Sequence, residues 1–182
     1  MKRLILALFL LLPACKEDAP LPQPVALTVE STGYFCQMDL LGHPGPKAQI
    51  HLASFPGLPL FFSQVKDAMV YLRMPEQSDV VTVAYVSDMG AAPSWEDVGA
   101  TNWIPATSAL YVIGSDAKGG MDAPEFVPFS DPVKAQNFAA QHGGQVVAFD
   151  QIPQSAFDTG APAASDDADF SARLKSLSGT GG

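Results

Sequence analysis

Two stretches of this chain share one pattern, and that repeat restricts the fold more than any other feature. "LPLFFSQVKDAMVYLR" from Leu58 and "EFVPFSDPVKAQNFAAQ" from Glu125 each pass from an apolar strand-like run through Phe-Ser into an amphipathic Val-Lys segment. In the first, Val65, Ala68, Met69 and Leu72 fall at helical spacing behind Ser63, which predicts Ser63 as the N-cap. In the second, Asp131-Pro132 supplies a cap and a proline at the first helical position, and His142-Gly143-Gly144 ends the helix with an imidazole that its dipole favours. Val133, Gln136, Asn137 and Ala140 hold the spacing only loosely there, so Phe138 must carry the apolar face. β-rich runs precede these units, "KAQIHLAS" from Lys47 and "ALYVIGS" from Ala109, and others follow them, "DVVTVAYVS" from Asp79 and "QVVAF" from Gln145. The order strand, strand, helix, strand occurs twice. The fold class is α+β: two related ββαβ modules packed together, the first over residues 33–90, the second with its linker over 91–154, joined across Asp88 to Trp103.

The ends read differently. Residues 1–14 form an export signal: Lys2 and Arg3 precede an apolar run from Leu4 to Leu12 that falls well short of the ~20 residues needed to cross a bilayer. Leu12-Pro13-Ala14-Cys15 resembles a bacterial lipobox, which makes Cys15 a lipidation site and residues 15–32, rich in proline and charge, a lipidated tether. Lys16, where an aspartate would hold an enterobacterial lipoprotein in the inner membrane, favours an outer-membrane anchor facing the periplasm. Residues 155–182 are small and polar and read as a disordered tail. The formal charge is −9, and −11 once Lys2 and Arg3 leave with the leader, so nucleic acid is excluded as a partner for want of clustered cations.

With Cys15 acylated, Cys36 is a single thiol in an oxidising compartment, without a disulfide partner on its own chain. Met38 lies two residues on. If the segment is extended, both side chains leave one face of a strand, and thiolate and thioether are soft donors that select Cu(I) over hard cations. Packing in a core is the other reading of the same spacing. A third donor has to come from afar: Met121, in the loop-like "KGGMDAPE", is the first candidate, followed by Met89 in "SDMGAAP". His51, alternating with Ile50 and Leu52, either ligates metal or meets solvent; His43, in a "GHPGP" turn, is a weaker candidate. Cys-x-x-Cys, His-Glu-x-x-His and cysteine clusters for iron–sulfur centres are missing from the sequence.

Taken in order, the lipobox, "YFCQM", "GPKAQIHL", "TNWIPATSALYVIGS", "KGGM", "VPFS" and "NFAAQHGGQVVAFDQI" resemble the NosL family, copper-chaperone lipoproteins of nitrous-oxide reductase maturation. The resemblance implies two ββαβ modules related to the core of organomercurial lyase. It implies a Cu(I) site at Cys36, Met38 and Met121, and delivery of the ion for the copper–sulfide centre of nitrous-oxide reductase. The partners it implies are a membrane ABC-type transporter and a periplasmic β-helix protein, with the membrane itself met only through the lipid. Asp122 stands where a glycine is expected after the methionine, which makes the conformation of that loop a test of the match. A carrier is not an enzyme. The alternatives are a copper-sequestering protein and a thiol-dependent enzyme related to organomercurial lyase, although a thiol enzyme needs a base or a second cysteine that is not evident beside Cys36.

Overall fold

The computed structural model describes residues 20–157 and Lys175. The export signal, Cys15 and residues 158–182, Lys175 apart, lie outside the described residues. The tail expected from residue 155 starts later: Gln154–Ala156 form a 3-10 turn, and Phe157 packs edge-on against Phe126, so the apolar core holds the chain as far as Phe157. The first module is β1 (Ala48–Leu52), β2 (Leu60–Phe62), α1 (Val65–Tyr71) and β3 (Val81–Ser87); the second contains β5 (Leu110–Ile113), β6 (Val127–Phe129), α2 (Pro132–His142) and β7 (Gln145–Ala148). Both sheets are antiparallel and share one topology, with β1 central in β2-β1-β3 and β5 central in β6-β5-β7. The mixed fold of two ββαβ units read from the repeat is therefore the fold observed.

One strand departs from that reading. β4 (Trp103–Pro105), in the stretch assigned to the linker and second module and not read as a strand, pairs Ile104 with Val86 and Trp103 with Ser87, and so extends the first sheet. Its bulky β-formers suit a strand, and Pro105, which has no N–H to donate, suits an edge. The N-terminal segment also differs from a free tether. Val25 exchanges two hydrogen bonds with the Gln49 side chain (2.8 and 2.9 Å), Tyr85 donates to the Pro22 carbonyl (2.7 Å), and Leu27 is buried. Residues 22–27 thus strap the outer face of the first sheet, which is why β1 is buried on both sides.

Strand alternation assigns the core. Ala48, Ile50 and Leu52 join Val65, Ala68 and Met69 of α1 and Tyr111, Ile113 and Phe126 of the second module in one apolar cluster that spans both units. Val112, between Tyr111 and Ile113, faces the other way, into a smaller cluster with Val127, Phe129 and Ala135. On α2, Phe138 packs there as expected, joined by Ala135 and Ala139, whereas Val133 is exposed. Asp131 caps this helix through the Val133 and Lys134 amides.

Candidate metal centre

Cys36 and Met38 do not lie on a strand. Residues 33–38 form a tight turn closed by a bridge between Thr32 and Asp39, with the Gly33 amide donating to the Met38 carbonyl (3.0 Å) and the Gln37 amide to the Gly33 carbonyl (2.8 Å). Gln37, between the two sulfur residues, has φ of 55°, a left-handed conformation that a non-glycine residue adopts at a cost. Its side-chain amide donates to the Tyr34 carbonyl at 2.7 Å and holds the turn. A residue in this conformation breaks the alternation that the two-residue spacing assumes, so the common-face expectation fails here. Aromatic contacts fix the turn from below: Tyr34 lies edge-on to Tyr71 (5.5 Å) and Phe35 edge-on to Phe62 (5.4 Å).

The Cys36 thiol folds back on its own turn, so close to Gly33 that a β-carbon there would sit 2.4 Å from Sγ, and it donates to the Ser63 hydroxyl at 3.5 Å. Ser63 is therefore not the cap of α1. The N-cap is Gln64, without a side-chain cap bond, and the helix amides of Val65 and Lys66 are taken instead by the Glu125 carboxyl (3.1 and 2.8 Å), which also accepts from its own neighbour Phe126 (2.8 Å). A carboxyl from the second module thus closes the helix of the first. Burial pushes Glu125 up to about 8 against the pull of these three amides.

Met121 sits in a second tight turn, closed by the Asp122 amide donating to the Gly119 carbonyl (2.9 Å). Asp122 has φ of 56°: the place where glycine was expected does require a left-handed residue, and aspartate is among the few side chains that adopt it readily. This turn lies against the same end of α1, since a β-carbon on Gly120 would fall 3.1 Å from the Ser63 carbonyl oxygen. Ser63 therefore has the Cys36 thiol at its hydroxyl and the Met121 turn at its carbonyl. Met38 is 41 % exposed and Met121 43 %, so neither thioether fills a core. Lys47, almost fully buried, donates to the Pro44 and Gly45 carbonyls (3.1 and 2.5 Å); burial lowers it to about 8, opposed by the Glu125 and Cys36 charges.

The remaining candidates sit elsewhere. Met89 packs with Val112, Val127 and Phe129, a core role. His51 neither meets solvent nor faces the turns: it lies under the strap, Nε2 donating to Gln49 Oε1 (2.9 Å), its ring edge-on to Tyr85. His43 stands nearer than its sequence context suggested, its Cβ 2.8 Å from where a Gly120 β-carbon would be and its Nδ1 2.6 Å from the Asp39 carbonyl. Among the described residues no three His, Cys, Asp or Glu side chains converge, so a hard or borderline ion finds no cage here. Gln37, Lys47, Ser63 and Glu125 are the contributors that spacing rules overlooked. A buried Lys or Glu in a short acidic domain is the kind of exception that composition cannot locate.

Burial lowers the His51 pKa below its ordinary 6.5. As pH falls through the unfolded value, the unfolded chain takes up a proton that folded His51 refuses, so stability declines from about pH 6.5 downward. His51→Gln should flatten this loss when urea midpoints at pH 7.5 and 5.5 are compared; an unchanged slope would assign it to another group.

The fold and this arrangement define a class: a two-module α+β protein that carries a half-buried thiol and two exposed thioethers on turns at the junction of its modules. The chain belongs to the NosL family, whose model matches residues 24–157. It is 49 % identical over 180 residues to the copper-binding lipoprotein NosL of Achromobacter cycloclastes, covering 96 % of this chain and 93 % of that protein. It is 33 % identical to the copper-binding lipoprotein NosL of Stutzerimonas stutzeri over 147 residues, 79 % of this chain and 75 % of that one. The crystal structure of the copper chaperone NosL from Shewanella denitrificans superposes with a TM-score of 0.69 at 29 % identity, covering 75 % of this chain and 99 % of that one.

Proposed function

We propose that this chain is a periplasmic lipoprotein that binds Cu(I) through Cys36, Met38 and Met121 and delivers it for assembly of the copper–sulfide centre of nitrous-oxide reductase. One observation carries the reading. Among the described residues only Gln37 and Asp122 hold a non-glycine side chain at positive φ, and they adjoin the three sulfur donors, from opposite modules. Such backbone persists only where the surrounding structure over-determines it, and it clusters at functional sites. A thiolate with thioethers is a donor set for a soft monovalent ion, and exposed thioethers allow an acceptor's sulfurs to replace them one at a time. Transfer is then ligand exchange with no bond-making chemistry. The Cys36 thiol donates to a serine hydroxyl and not to an imidazole, which supports a carrier over a thiol enzyme. The relatives named as copper-binding lipoproteins support copper as the metal. A lipid on Cys15 would hold the carrier near its partners, an ABC-type transporter and a periplasmic β-helix protein, and raise their effective concentration.

Anaerobic titration of the purified full chain against a competing Cu(I) chelator tests the reading. It should give one Cu(I) per chain and strong preference over Zn(II), followed by transfer to the apo acceptor. Equal competition by Zn(II) at neutral pH would overturn the soft site, and retention of copper in the presence of apo acceptor would favour sequestration.

A further inference from the structure

We propose that Gly119 and Gly120 are positioning residues for Met121: lacking side chains, they let the second module's turn seat against the Ser63–Gln64 end of α1, where the Cys36 thiol already rests. The inference builds on the Cu(I) reading above.

The requirement is space and not backbone freedom, because neither glycine adopts a positive φ. A β-carbon on Gly119 would lie 2.4 Å from Glu125 Oε2 and 2.7 Å from Gln64 Nε2. On Gly120 it would lie 2.8 Å from His43 Cβ, 3.1 Å from the Ser63 carbonyl oxygen and 3.3 Å from the Pro44 carbonyl oxygen. Below 3.0 Å, as at Glu125, Gln64 and His43, something must shift, and at 3.1 and 3.3 Å the Ser63 and Pro44 carbonyls must give by a few tenths of an ångström. What could yield is limited. The Ser63 backbone leads into a helix capped by Glu125, and the Pro44 carbonyl is held by the buried Lys47 ammonium. Gly45 closes the seat from the far side, where its own β-carbon would come 3.4 Å from Gly119 Cα.

The turn itself is stiff: Gly119 donates to Ala123 (2.9 Å), Lys118 pairs with Pro124, and the Lys118 ammonium meets Asp122 at 3.1 Å. An added methyl group therefore moves the turn outward as a unit, and Met121 moves with it. The Cys36–Ser63 contact lies on the hydroxyl side and is left in place.

The test is a double-mutant cycle on the full chain, read by anaerobic Cu(I) competition and by the sulfur count of the copper shell in X-ray absorption. Gly120→Ala should weaken Cu(I) by the same factor as Met121→Ala, on the order of tenfold, and remove one sulfur, and the double variant should be no worse than Met121→Ala alone. Wild-type affinity in Gly120→Ala beside a weakened Met121→Ala would overturn the seat and leave the donor assignment standing. Unchanged affinity in Met121→Ala beside lost binding in Cys36→Ser would remove Met121 as donor, and the seat with it. Additive losses would assign Gly120 a role independent of Met121 and also overturn the proposal. Should Gly120→Ala fail to fold, one glycine inserted between Gly120 and Met121 displaces the thioether without a β-carbon; loss of one sulfur is expected, and full retention would overturn the proposal.

Discussion

Cys36→Ser should weaken Cu(I) binding by on the order of a thousandfold, about 4 kcal/mol, while the chain still folds. The substitution exchanges a soft anionic donor for a hard neutral hydroxyl but keeps a group that can donate to Ser63, so the fold loses one long contact at 3.5 Å. Stability should then change by no more than about 1 kcal/mol. Met38→Ala and Met121→Ala, which remove neutral donors from exposed positions, should each cost on the order of tenfold in affinity. Chelator competition gives the affinities and thermal unfolding of the apo chain gives the stabilities. A Cys36→Ser chain that unfolds, and whose refolded fraction binds Cu(I) normally, would place Cys36 in the core and off the metal.

Glu125→Ala should destabilise the body by about 3 kcal/mol. It strands the Val65, Lys66 and Phe126 amides in a buried place, and an orphaned buried donor costs about 1–3 kcal/mol. The magnitude should depend on pH, and the sign follows from the raised pKa. Between about 4.5 and 8 the folded chain holds a proton on Glu125 that the unfolded chain has released, so the contribution of this residue falls as pH rises through that window. The gap between wild type and Glu125→Ala in urea unfolding should therefore be wider at pH 5 than at pH 9. A gap that widens with pH would mean that the carboxylate and not the acid is the form the site stabilises.

The repeat carried the architecture in plain view because its signals are local. Val65, Ala68 and Met69 recur at helical spacing, Asp131-Pro132 starts a helix wherever it occurs, and strand runs alternate with them. What the chain did not disclose was non-local. Ser63 precedes α1 as a good cap should, yet its hydroxyl serves Cys36, because a carboxyl some 60 residues on reaches the helix first. Nothing within ten residues of Ser63 reveals that competition. β4 was obscured in the same way, since three residues with a proline among them resemble a linker until β3 offers an edge. At the candidate site the residue types were legible and their conformation was not. Cys-x-Met permits a strand face, but the left-handed Gln37 lies between the sulfurs, and no propensity assigns that conformation to glutamine. The opposite holds at Asp122, where an aspartate in place of glycine still signals a left-handed position.

The strap of residues 22–27 bears on reach. A lipid at Cys15 with a body free from Gly33 onward would leave roughly 18 residues of line, on the order of 60 Å fully extended. Because Pro22, Val25 and Leu27 are fastened to the first module, only about 7 residues separate Cys15 from the body, which can span at most roughly 25 Å. With a lipid on Cys15, the body would be held close to the membrane surface. Its acceptor would have to come to that surface, and the bearing of the turns at Cys36 and Met121 would be set by where on the body the mooring attaches.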